Sequence, residues 1–100
     1  MGVNTKYTWH DAKRQTNLDK HHLDFADADL VLESPYCFAF DTTRNGECRK
    51  QAFAYVFDVL TVLTVVYLPG KTPHIISFRP ARQTEREVYH DWLENDFDNA

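Results

Sequence analysis

Glycine and proline are scarce in this 100-residue chain, with three and four copies. That excludes collagen-like and low-complexity architectures. Cysteine is scarcer still. Cys37 and Cys48 form no CxxC pair and show no metal-ligand spacing, so two free thiols in a reducing compartment are expected. No apolar run is long enough to cross a bilayer as a helix. The longest, Val59–Leu68, has ten residues and includes two threonines. The N-terminal segment lacks the apolar stretch of a secretory signal, so a cytoplasmic location and no membrane partner are expected. The GxSxG, P-loop, GxGxxG and HExxH patterns are all missing, so neither a nucleophilic serine site nor a nucleotide cofactor is supported.

A basic excess is missing too. The net charge is −4, and it is unevenly placed. Residues 85–98 hold six acids against Arg86, whereas residues 1–84 hold ten Lys/Arg against nine Asp/Glu. Any contact with nucleic acid must therefore come from a local cluster rather than from the overall field.

What is present suits one small globular domain: 43% apolar and 26% charged residues, without repeats or linkers. The domain is expected over residues 1–95, with residues 96–100 an acidic tail that frays. Tyr7-Thr8-Trp9 reads as a short opening strand. Asp11–His22 reads as a helix, with an acid at its start, Lys20, His21 and His22 at its end, and a thin inner stripe of Ala12, Gln15 and Leu18 or Asn17. A second helix is expected over Asp24–Glu33, capped by Asp24, with Phe25, Ala28 and Leu32 on one face. The texture then turns to β. Strands are expected at Tyr36–Asp41, Arg49–Phe57, Val59–Leu68 and His74–Phe78, with Asn45-Gly46 as a hairpin turn. Val59–Leu68 is apolar on both faces, as a central strand should be. Thr84–Asn95 reads as a final helix with a Thr84…Glu87 capping box. The order β-α-α-β-β-β-β-α implies an α+β fold: an antiparallel meander with two N-terminal helices and one C-terminal helix against it.

Two clusters could carry chemistry. Lys20-His21 ends the first helix, and could be a phosphate-facing base beside an acid–base imidazole or simply cations complementing the helix dipole. Arg79-Pro80-Ala81-Arg82 lies between the last strand and the last helix. Two arginines so spaced can converge on one anion, or can pair with acids of the final helix such as Glu85 and Glu87. Arg49 and Lys50 begin a strand, and alternation sends one to each face. Tyr89, one turn beyond Glu85, could present its hydroxyl nearby or serve as a core aromatic. Adjacent histidines point in different directions, so no metal site and no cofactor are expected. An Arg/Lys/His set suits RNA cleavage, in which the 2′-hydroxyl is the internal nucleophile, a base removes its proton and cations stabilise the transition state.

Two strings carry a resemblance. The first is Trp9-x-x-x-Lys13, Asn17 and Lys20-His21, followed by Phe25, Ala28 and Glu33-Ser34-Pro35. The second is Val65-Val66-Tyr67, then Ile75-Ile76-Ser77-Phe78-Arg79-Pro80-Ala81-Arg82, then Glu85 and Tyr89. Both, in this order, resemble the BrnT toxins of type II toxin–antitoxin systems. The resemblance implies a RelE-like fold and a ribonuclease that stops translation. It implies a BrnA-like antitoxin as partner, operator DNA reached only through that antitoxin, and a homodimer within the complex. Carried over by position, Lys20, His21, Arg79 and Arg82 fall on catalytic positions, with Arg49, Lys50 and Tyr89 as candidate RNA contacts. The chain departs from the pattern at His10, where Asp is usual, and at His22 and Tyr55-Val56-Phe57-Asp58, where Gly is usual. Those departures suit a competing reading, an inactive module that scaffolds an antitoxin–DNA complex, with an apolar sheet face (Phe53, Tyr55, Phe57 or Val59–Leu68) left partly uncovered as its interface.

Overall fold

The computed structural model describes residues 2–3 and 6–95. The expected acidic tail lies outside them. Strand β1 (Gly2–Val3) precedes β2 (Thr8–Trp9), helix α1 (Asp11–His21), a 3-10 turn (Phe25–Asp27) and a short helix α2 (Asp29–Leu32). Strands β3 (Phe38–Arg44), β4 (Glu47–Val56), β5 (Thr61–Leu68) and β6 (His74–Pro80) follow, and then helix α3 (Gln83–Asn95). The six strands form one sheet in the order β1-β2-β6-β5-β4-β3.

The α+β class holds, but the sheet is mixed rather than purely antiparallel. Strands β3 to β6 make the expected meander. β2 instead lies parallel to β6, with Thr8 opposite His74. The reason is connectivity: everything from α1 to β5 lies between β2 and β6, so no hairpin constrains their directions. β1, which was not expected, pairs with β2 at the sheet edge.

The hairpin turn forms where Asn-Gly predicts it. Asn45 and Gly46 both have positive φ (53° and 79°), the mirror-image turn that matches strand twist. A two-residue turn fixes the register, so Arg44 faces Glu47, Thr42 faces Arg49 and Phe40 faces Gln51. β5 is central, as its two apolar faces require, and Val62, Leu63, Thr64 and Val65 are all buried.

Alternation sorts the core onto two faces. Ala52, Ala54, Val56, Leu63 and Val65 pack with Phe25, Ala28, Val31 and Trp9 on one side. Phe53 and Val62 pack with Ala81, Tyr89 and Trp92 on the other, beneath α3. The sheet is thus a middle layer between the first two helices and the last.

The expected second helix is broken in two. Asp24 caps it as predicted, accepting from the Ala26 N–H at 3.0 Å. The buried residues Phe25, Ala28 and Val31 recur at spacing three. That period suits 3-10 geometry, where i and i+3 eclipse, better than a continuous α-helix. In α1 the buried residue is Asn17, whereas Ala12 and Gln15 are exposed. Asn17 clamps β6: its Nδ2 donates to the Phe78 carbonyl (2.7 Å) and to Leu23 (3.0 Å), and its Oδ1 accepts from the Phe78 N–H (3.2 Å). Arg14 braces the same helix through two bonds of 2.7 Å to Asp24, with its guanidinium 5.3 Å from the Trp9 ring centre.

His22 stands where the BrnT pattern has glycine, and it adopts the glycine conformation. Its φ is 59° and ψ 29°, and its N–H bonds the Leu18 carbonyl at 2.8 Å. The left-handed cap is kept, with a side chain that disfavours it. His22→Gly is therefore expected to stabilise the fold by about 1 kcal/mol, read as a higher urea midpoint at unchanged slope.

Candidate functional site

Helix α3 crosses only part of its face of the sheet. Its first turn lies over Gln51 and Arg79, and its middle over Tyr55, whose N–H bonds the Tyr89 hydroxyl. The remainder of that face, toward the Asn45-Gly46 turn, is an open cleft of about 290 Å³. Four arginines line it: Arg44 from β3, Arg49 from β4, Arg79 from β6 and Arg82 before α3. Thr42, Gln51 and Ser77 supply neutral polar groups.

A second hollow of about 360 Å³ adjoins it, lined by Lys13, Asn17, Lys20 and His21 of α1. Ile76 and Ser77 form walls of both. The two sequence-predicted clusters therefore meet across one stretch of β6. The Asn17–Phe78 clamp sets this arrangement, because it fixes the last turn of α1 beside that strand. Burial, and then the charges of Lys20, Arg79 and His22, hold the His21 imidazole below its ordinary value. His21 is thus neutral at pH 7 and able to accept a proton.

The arginines are not equivalent. Arg79 is committed to a forked ion pair with Glu85, at 2.8 and 3.0 Å, with side chains 17% and 19% exposed. Glu85 also accepts from the Arg82 backbone N–H (2.8 Å) and from Gln51 Nε2 (2.9 Å). The expected capping box at Thr84…Glu87 is replaced by this contact, Glu85 reaching back to the residue before the helix. Arg49 pairs with Glu47 at 2.9 Å. Among the described residues no hydrogen bond or ion pair engages the side chains of Arg44 or Arg82. These two are left to meet an anion.

Lys50 and Tyr89 lie elsewhere. Lys50 shares its face with Ala52, on the opposite side of the sheet, and pairs with Asp41 at 3.1 Å. Tyr89 is fully buried, its hydroxyl donating to the Tyr36 carbonyl at 2.8 Å and accepting from the Tyr55 N–H at 3.2 Å. It anchors α3 in the core, and neither residue can touch a ligand in the cleft. Arg44 was missed, as was the role of Gln51, whereas pairing of the arginine cluster with Glu85 was one of the two readings and is made by Arg79. The signal for Arg44 was available: an Asn-Gly turn pairs Arg44 with residue 47, which puts 44, 42, 49 and 51 on one face.

A family model described as the ribonuclease toxin BrnT of type II toxin–antitoxin systems matches residues 9–85. The chain belongs to the BrnT toxin family. The match spans α1, the whole meander and the first turn of α3, and so contains every residue of the cleft. No curated protein matches the chain. Membership makes this a toxin of a ribonuclease family whose members have an antitoxin as partner.

The Glu85 hub makes a testable demand on stability. Its carboxyl is held at about 2, first by the Arg79 hydrogen bonds, against an ordinary 4.5. A depressed carboxylate stabilises the fold fully above its unfolded value and loses that contribution as pH falls. The loss is expected between about pH 4.5 and pH 2, amounting to about 2 kcal/mol once the roughly 3 kcal/mol that the full shift implies is reduced for solvent screening. Glu85→Gln should lower stability at pH 7 and flatten the acid limb of a stability-against-pH curve measured by chemical denaturation.

Proposed function

We propose that this BrnT chain is an active endoribonuclease that cleaves RNA without a metal and thereby halts translation. The observation that carries the reading is the junction of the His21 hollow with the arginine cleft across Ile76-Ser77. A phosphate held between Arg82, Arg49 and Arg44 would lie with its neighbouring ribose toward α1. His21 takes the 2′-hydroxyl proton. The 2′-oxygen attacks the adjacent phosphorus, the P–O5′ bond breaks as the 5′-oxygen takes a proton from water, and a 2′,3′-cyclic phosphate remains. Arg82 and Lys20 stabilise the charge that builds on the phosphoryl oxygens. Arg79 acts as a positioning residue, since Glu85 occupies both of its terminal nitrogens. DNA, which lacks the 2′-hydroxyl, is not a substrate. The mixed sheet, with helices on both faces, is read as RelE-like.

The test must avoid Arg79, because Arg79→Ala strands Glu85 and endangers the fold. Induced expression of wild type should stop growth and degrade RNA within an hour. Arg82→Ala and His21→Ala, folded by circular dichroism, should lose about 100-fold in cleavage of a defined RNA. The acid limb of the wild-type kcat/KM profile should have its midpoint below 6.5. A fully active, folded Arg82→Ala protein would sink the assignment.

The partner's surface is proposed from a second feature. Five of the exposed large apolar residues gather at the far end of the sheet: Leu30, Tyr36, Phe57 (70% exposed), Val59 and Leu60 (75%). Leu60 holds a left-handed backbone, φ 53°, at the tip of the β4–β5 turn. Of the sheet-face residues expected from sequence as interface (Phe53, Tyr55, Phe57 or 59–68), Phe53 and 62–65 are buried, whereas Phe57, Val59 and Leu60 are exposed. No lysine or arginine occurs in residues 21–43 or 51–70, and Asp58 borders the groove beside Phe57. An apolar patch with an acidic rim suits a BrnA-like antitoxin segment with an apolar face and basic flanks, and repels RNA. Operator DNA and a second toxin copy would join through that antitoxin. Phe57→Lys with Leu60→Lys should leave RNA cleavage intact and abolish protection of cells by the cognate antitoxin. Unchanged protection would exclude this surface.

A further inference from the structure

Among the described residues, two further exposed large apolar side chains, Phe40 (38%) and Val88 (50%), are not part of that patch. They lie beside the arginine cleft, where Phe40, Phe53, Thr84, Glu85 and Val88 enclose a niche of about 160 Å³. Phe53 is fully buried and forms its floor, stacked on Phe40 with ring centres 5.6 Å apart and planes 25° from parallel. Phe40 is on the edge strand, on the same face as Thr42 and opposite Gln51. Thr42 belongs to the arginine cleft, so niche and cleft are adjacent positions on one strand. Two residues along a strand advance by roughly 7 Å, about the reach from a phosphate to the base of its own nucleotide. Glu85 forms part of the niche wall, but its oxygens are already taken by Arg79, Arg82 and Gln51. The Thr84 hydroxyl remains available to a base edge.

We infer that this niche is a nucleobase subsite: one base of a single-stranded RNA stacks on Phe40 while its phosphate lies among Arg44, Arg49 and Arg82. The inference rests on the ribonuclease reading and deepens it. The cleft itself has no aromatic lining, so it can grip phosphates but cannot stack a base. Phe40 supplies the missing stacking platform next to it. The geometry requires a single strand, since a paired base cannot leave its stack to enter the niche without unpairing. Phe40 thereby sets which nucleotide sits beside the scissile phosphate, with Thr84 as its polar reader.

The test uses the whole protein and two probes: a single-stranded 2′-O-methyl oligonucleotide, which cannot be cleaved, and a mixed-sequence RNA whose cut sites are mapped. Phe40→Ala is expected to weaken oligonucleotide binding about ten-fold, the scale on which one base–aromatic stack acts. It should also flatten the cut-site preference while leaving the salt dependence of binding unchanged, because no phosphate contact is lost. Phe40→Trp should restore both affinity and preference. Phe40→Leu keeps the strand covered and folded, and should behave like Phe40→Ala because it lacks a ring. Arg82→Ala, in contrast, should reduce the salt slope by about one. Wild-type preference in folded Phe40→Leu, alongside a defective Arg82→Ala, would overturn the niche and spare the cleft. A wild-type protein that binds no RNA would overturn both.

Discussion

One half-buried carboxylate organises the functional side of this fold. Glu85 accepts from strand β6 through Arg79, from β4 through Gln51, and from the backbone before α3 through the Arg82 N–H. Gln51 in turn reaches Thr64 of β5, whose hydroxyl donates to Ala52. Three strands and a helix start are thus joined through one ionised group, and four donors repay its desolvation. Without it Arg79 would be a charge in a partly dry site with only the Pro80 carbonyl as partner and no counter-charge. The helix would also lose the contact that fixes where it starts, and Arg82 would lose its defined place at the cleft's edge.

The position of that hub explains why there is a cleft at all. The first turn of α3 is held over Gln51, and Tyr89 bolts the next turns to the backbone of Tyr36 and Tyr55. The helix is therefore committed to the end of the sheet where β3 begins and β4 finishes. Among the described residues, none covers the opposite end of that face, where Thr42, Arg44 and Arg49 project. On the other face, Asn17 performs the corresponding task for α1, meeting both backbone groups of Phe78 as a neighbouring strand would. Lys20 and His21 owe their placement to that clamp.

Much of the fold was legible because its signals are local. Asn45-Gly46 dictated a two-residue turn, and the doubly apolar run at 59–68 dictated a central strand. Asp24 announced a cap. The parallel pairing of β2 with β6 was hidden, because no turn connects them and Thr8-Trp9 is too short to carry a pattern. The site was legible as a set of cations but not as an arrangement. Arg79 and Arg82 look alike in sequence, and only the tertiary position of Glu85 separates the paired one from the free one. Arg49 and Lys50 could have been told apart by the turn's parity, but which parity faces a cleft depends on how far α3 extends across the sheet. Tyr89 read more readily as a core aromatic than as a site hydroxyl, and it is buried, but its two backbone partners lie 34 and 53 residues away and carry no sequence signal.

A net charge of −4 and an arginine-lined cleft are compatible because the charges are sorted in space. Along β4 the distance from Arg49 to Phe57 is eight residues, roughly 26 Å at strand rise. That is about three Debye lengths at physiological salt, so the acids around the β4–β5 turn are screened from a phosphate in the cleft. The cleft and the hollow beside it present Arg44, Arg49, Arg82, Lys13 and Lys20, a locally basic surface on an acidic chain. The same sorting leaves the opposite end apolar and acidic, a surface with no affinity for phosphate. Two ligands of opposite charge can then be told apart by one small domain, each directed by the field nearest to it.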